Sequence, residues 1–127
     1  MDFREELIRQ FWSLFDQQKF ELVRSLLHEE FEVIWETTEE IFPSQDAFIN
    51  ANRYYPGNWH TIPRRIELLD NEALSIVSVY SDDVSDRFFV ISFFEFKEKL
   101  IHKISEYWAT VEKTPDWRKK YSIPRKQ

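Results

Sequence analysis

Apolar residues recur three and four apart at Phe3, Leu7, Ile8, Phe11, Leu14 and Phe15, the spacing of one face of an amphipathic helix, with Asp2 placed to cap it. The polar break DQQK interrupts that stripe before Phe20, Val23, Leu26 and Leu27 resume it, so a second, short helix is predicted to meet the first near Gln17. In FEVIWE the period changes to two. Phe31, Val33 and Trp35 then share one face and Glu32 and Glu36 the other, which predicts a strand with Trp35 turned inward. After Pro43 and Ser44, the segment QDAFINANRYY carries Phe48, Ala51, Asn52 and Tyr55 on one helical face until Pro56 and Gly57 stop it.

From Trp59 onward the pattern is β in four runs, WHTIPRRIELL, ALSIVSVYS, RFFVISFFEF and LIHKISEYWAT. Their links are short enough for hairpins, which predicts an antiparallel meander. Pro63 belongs at an edge or a bulge. RFFVISFFEF is apolar on both faces, as expected of a central strand covered by helices on one side and by a partner or the tail on the other. The sum is an α+β domain, a curved antiparallel sheet with the N-terminal helices on one face, and a sheet bent around such helices encloses a cone.

Composition sharpens this picture in three places. At 127 residues the chain is expected to form a single domain, 1–127, with 114–127 as a basic C-terminal tail. Aromatic residues make up 17 %, enough to line a pocket as well as a core. Gly57 is the only glycine, and phosphate-binding loops, dinucleotide-binding turns and nucleophile elbows all need more than one. There is no cysteine, which excludes disulfides, thiolate metal sites and a cysteine nucleophile.

Charge is uneven. Residues 1–50 hold twelve acids and four bases, whereas 114–127 hold five bases and one acid. An acidic first half argues against a nucleic-acid partner, and the basic tail is expected to be a solvated terminus. The charged start MDFREELIRQ suggests neither signal peptide nor membrane span, so a cytoplasmic protein without membrane association is expected.

Specific residues now join this order of elements: the inward Trp35, YYPGNW over 54–59, FFVISFFEF, LIHKISEYW and PDWR over 115–118. In these the sequence resembles the SnoaL-like branch of the nuclear transport factor 2-like superfamily over nearly its whole length. It departs from the family pattern at KEKL, where members usually have an Asp-Gly-Lys hairpin, and at Trp35-Glu36, where many have Trp-Pro. The resemblance implies a cystatin-like conical α+β barrel, often homodimeric through the sheet face. It also implies a pocket for a small hydrophobic molecule. Members include isomerases, dehydratases, cyclases, epoxide hydrolases and non-catalytic binders, so the resemblance bears on fold more sharply than on function.

Glu106 is the leading candidate for chemistry. Strand alternation sets it beside Ile104 and Trp108, where burial would raise a carboxyl pKa into the range useful for acid or base work. The competing reading is a structural carboxylate paired with Arg118, Arg64 or a backbone amide. Tyr55, on the apolar face of the third helix, could donate a hydrogen bond to a developing oxyanion, with Tyr54 and Tyr80 as lesser candidates. His60 lies in an alternation set with Ile62, Ile66 and Leu68, broken by Arg64, and is either a core or rim residue or a reserve base. His28 and His102 are expected on the surface.

No His pair has metal-ligand spacing, so neither a metal nor a cofactor is expected. Asp82, Asp83 and Asp86 suggest a solvated turn. Trp12, Trp35, Trp59, Trp108 and Phe94 are the expected pocket wall. Trp117 is expected to cap the barrel mouth or a sheet edge while Arg118 pairs with an acid, or both to meet a second copy. Three functions stay open: a ligand-binding protein, a cofactor-independent acid/base enzyme of isomerase, dehydratase or epoxide hydrolase type, and a protein-interaction module using the outer sheet face.

Overall fold

The computed structural model describes residues 1–125. Helix α1 spans Phe3–Asp16, opened by the Asp2 carboxylate, which accepts the Arg4 N–H at 2.8 Å. Its apolar stripe buries Ile8, Phe11, Trp12 and Phe15. The second helical segment is shorter than its spacing predicts: α2 covers Phe20–Val23, a 3₁₀ turn follows over Arg24–Leu26, and Leu27 already belongs to strand β1, Leu27–Trp35. His28 is therefore a strand residue, and it is 3 % exposed rather than on the surface. Its Nδ1 accepts the Glu30 N–H at 3.0 Å and its ring meets His102 edge-on at 5.3 Å.

A three-residue strand that the sequence pattern does not announce, β2 over Glu40–Phe42, folds back on β1. Helix α3 covers Gln45–Arg53, capped by Ser44, whose hydroxyl accepts the Ala47 N–H at 3.1 Å. The meander then runs as predicted through β3 (Trp59–Leu68), β4 (Glu72–Ser81), β5 (Arg87–Lys97) and β6 (Leu100–Thr110).

The strand order is β2-β1-β6-β5-β4-β3. All neighbours are antiparallel except β1 and β6, which pair in parallel, Trp35 opposite Glu106. The chain between them, α3 and four strands, is far longer than the dozen residues a parallel connection needs. The sheet is thus mixed, and it stays open, with β2 and β3 as its edges. Its inner face carries Ala73, Val77, Val90, Phe94 and Ile104, all buried against α1 and α3. Its outer face carries a half-buried apolar set that includes Leu74, Ile76, Phe89, Ile91 and Phe93.

A bulge in β3 changes which side chains face inward. Pro63 pairs with Val77 and Arg65 with Ile76, leaving Arg64 as the extra residue. Before the bulge Trp59 and Thr61 point in and His60 and Ile62 point out. After it, Ile66 and Leu68 join the inner register, opposite Ser75 and Ala73. The break at Arg64 in the sequence pattern is this bulge, and it puts His60 and Ile62 on the face opposite to Ile66 and Leu68, with which simple alternation groups them.

Candidate functional site

A cavity of about 340 Å³ opens at the end of the sheet where β1, β3 and β6 carry their tryptophans. That lies within the range typical of small-molecule sites. Trp35, Trp108, Phe88 and Trp59 come from β1, β6, β5 and β3, and Tyr55 extends the row beyond the sheet. Successive ring centroids along this arc lie 5.9, 6.0, 5.4 and 5.6 Å apart. Trp12 and Phe15 of α1 and Phe20 of α2 form the opposite wall, and Val79 fills the gap on β4.

Three indole N–H groups are satisfied by the protein. Trp12 donates to Ser75 Oγ at 3.1 Å, Trp35 to Glu106 Oε1 at 3.0 Å and Trp59 to the Pro56 carbonyl at 2.7 Å. What these rings offer a guest is therefore largely carbon. Polar lining comes from Thr37, Thr38, Thr61, Thr110, Asn52 and Gln18. Several of these are already engaged: Thr61 Oγ1 donates to the Trp12 carbonyl at 2.8 Å, and Gln18 is bonded to Asn58. Arg53 is the one charged side chain on the described wall, and it is hydrogen-bonded to Glu21. Arg24 and Arg53 hold the Glu21 carboxyl down to about 2, so this counter-charge persists.

Glu106 is 1 % exposed and does not touch the cavity; it lies behind Trp35. Neither Arg118, Arg64 nor a backbone amide pairs with its side chain. Its partners are Trp35 and Ser92, whose Oγ donates to Oε2 at 2.6 Å. Burial pushes its carboxyl up to about 7, against the downward pull of those two hydrogen bonds.

The other expected site residues divide. Trp12, Trp35, Trp59 and Trp108 all line the cavity. Phe94 does not: it is fully buried between Phe11 and Phe96. Phe88 and Phe94 share a face of β5, but six residues separate them, roughly 20 Å along a strand, which puts them at opposite ends of the sheet. Phe88 is the wall residue that alternation could have offered.

Tyr55 is not a helix residue, because α3 ends at Arg53. It lies in the following turn, 48 % exposed at the cavity rim. His60 faces outward from β3, away from the cavity, with Nε2 2.7 Å from Asp82 and Nδ1 3.3 Å from Asp16. The hydrogen bond to Asp82 raises its pKa first, with smaller contributions from Asp16. Asp82 and Asp83 are more than a solvated turn, since both also accept from Asn58, at 2.8 and 2.6 Å. Trp117 does not cap the mouth: it is 71 % exposed, and Arg118 lies over its ring at 5.7 Å.

The single glycine shapes this rim. Gly57 has φ of +106°, and a Cβ there would come within 2.7 Å of Trp59 Nε1. Gly57→Ala is expected to destabilise the protein by about 1–3 kcal/mol and to shift the tryptophan emission, because either the turn or the Trp59 ring must move. Denaturant unfolding followed by fluorescence checks this; an unchanged midpoint would mean that the turn yields freely.

No family model matches the sequence, and no curated protein matches it. Solved structures do. A proposed ketosteroid isomerase from Kribbella flavida superposes with a TM-score of 0.81 at 20 % identity, covering 98 % of this chain and 90 % of that one. A nuclear transport factor 2-like protein of unknown function from Burkholderia xenovorans gives 0.77 at 17 % identity, covering 98 % and 100 %. The chain has the nuclear transport factor 2-like fold. A proposed SnoaL-like polyketide cyclase from Shewanella putrefaciens shares this fold, at a TM-score of 0.72 and 6 % identity, with 86 % and 91 % covered. Within this fold the cavity sits between the helices and the concave face of the sheet. Among the described residues no helix is long and apolar enough to cross a membrane.

Proposed function

We propose that the protein binds a small hydrophobic molecule in this cavity, in the manner of a SnoaL-type ligand pocket. The observation that carries the reading is the aromatic arc from Trp35 to Tyr55, whose indoles at positions 35 and 59 turn their N–H groups to the protein and their rings to the cavity. Polycyclic and carbonyl-bearing ligands suit such walls. The isomerase and cyclase names given to two structures of this fold support the same choice of ligand class.

Four of the five tryptophans line the cavity, so intrinsic fluorescence reports on its occupancy. A panel of steroids, polyketide-like aromatics, terpene epoxides and fatty acids is expected to yield a ligand that both perturbs the emission and raises the melting temperature. At a hundred times its dissociation constant such a ligand adds about 2.7 kcal/mol. If no member of the panel does either, the ligand-binding reading fails.

A second reading rests on Glu106, an acid brought up to about 7 one indole away from the cavity. It makes the protein a cofactor-independent acid/base enzyme of the isomerase, dehydratase or epoxide hydrolase type. Under it Glu106→Gln abolishes turnover of a bound ligand and leaves affinity in place. The proposal includes a homodimer formed through the outer sheet face, whose half-buried Leu74, Ile76, Phe89, Ile91 and Phe93 form an apolar patch. Sedimentation that shows only monomer at micromolar concentration removes that element.

A further inference from the structure

We propose that the cavity selects uncharged ligands and that Glu106, acting through the Trp35 indole, enforces this selection. The inference rests on the ligand-binding reading above and adds to it the charge of the ligand.

The Glu106 carboxyl group sits among neutral neighbours. From β1 it receives the Trp35 N–H and from β5 the Ser92 hydroxyl. Ile104 and Trp108, beside it on the inner register of β6, carry no charge, and neither do Val90 and Phe94 of β5 or Val33 of β1. Helices α1 and α3 bury Ile8, Phe11, Phe48 and Ile49. Glu36, near in sequence to Trp35, is engaged elsewhere and accepts the Ser105 hydroxyl at 2.6 Å. No cation appears among the influences on Glu106; burial opposes its ionisation, and only Ser92 and Trp35 favour it. On the cavity side the charge of Arg53 is matched by Glu21.

A carboxylate at Glu106 is therefore an uncompensated negative charge directly behind the Trp35 ring. An anionic guest would meet that charge in a poorly screened site and would find no free cation on the described wall. A neutral guest meets aromatic rings, threonines and the amides of Asn52 and Gln18, none of which carries a charge. By displacing water it also makes ionisation of Glu106 harder still, so binding of a neutral guest favours the protonated acid and weakens as the acid ionises. Glu106 is thus a positioning residue: it fixes the Trp35 ring through one hydrogen bond and sets the potential behind it, without touching the guest.

Quenching of tryptophan emission in the full chain by 1-pyrenebutyric acid and by its methyl ester tests this at pH 6 and pH 8. The ester is expected to bind at least about tenfold more tightly than the acid at pH 8. Its affinity should fall several-fold from pH 6 to pH 8 in the wild type and stay flat in Glu106→Gln. Acid binding as tight as ester binding overturns the inference and leaves the ligand-binding reading standing. So does a pH dependence that survives in the variant. The wild-type comparison of the two probes needs no variant at all, so it holds even if Glu106→Gln folds poorly. Failure of both probes to bind the wild type overturns the inference together with the reading beneath it.

Discussion

Glu106→Gln is expected to make the protein more stable above neutral pH, by roughly 3 kcal/mol at pH 8, and to flatten its stability between about pH 5 and 7. The folded state raises this carboxyl from 4.5 to about 7, so between those values the native protein holds a proton that the unfolded chain has released. Stability then falls with rising pH by about 1.4 kcal/mol per unit, and levels off once the buried acid has ionised. Glutamine removes the charge and keeps both hydrogen bonds: its amide oxygen can accept from Trp35, and its amide nitrogen can donate to Ser92. His60, whose pKa is also raised, contributes stability that is present at low pH and lost as the pH rises through its folded value. Any slope of that sign remaining in the variant belongs to His60. Denaturant unfolding at pH 5, 6, 7 and 8 reads both curves, and a wild-type stability that rises between pH 5 and 7 contradicts this account.

Phe11→Ala is expected to cost about 3–5 kcal/mol, a large share of the stability of a domain this size. The ring is fully buried and meets Trp12, Phe15, Phe48 and Phe94 at 4.9, 4.8, 6.2 and 5.6 Å. It joins α1 to both α3 and the sheet. Trp12 and Phe15, its neighbours on α1, form the helical wall of the cavity, so ligand binding should weaken along with stability. Urea midpoints check the first effect, and a loss below about 1 kcal/mol would mean that the surrounding rings close over the gap.

The elements legible in the sequence are those whose period runs long enough to be distinctive: α1, the second half of β1, α3 and the four meander strands. β2 has three residues and no period to detect. The tryptophans of the wall are recoverable because alternation assigns a face, but alternation does not say how far along a strand a side chain lies. That is why the sequence points to Phe94 where Phe88 stands. Alternation misplaces His60 because one extra residue at Arg64 inverts the facing of the rest of β3, and helical spacing misplaces Tyr55 because α3 stops two residues short of it. The burial of Glu106 can be anticipated from its strand, but its partners cannot. Trp35 is 71 residues away, and Ser92, although only 14 away, is an inward serine in an otherwise apolar strand with nothing to mark it.

The bulge at Arg64 has a second effect, at the level of self-association. β3 is an outer strand of the open sheet, and a flat outer strand is a template for adding the strands of other molecules. Here the free edge is interrupted by Pro63, which has no N–H to offer, by the bulge beside it and by the exposed Arg64 and Arg65. The opposite edge, β2, is three residues long. With both margins blunted, the sheet is protected against runaway edge-to-edge growth into fibres, although its curvature never closes into a barrel.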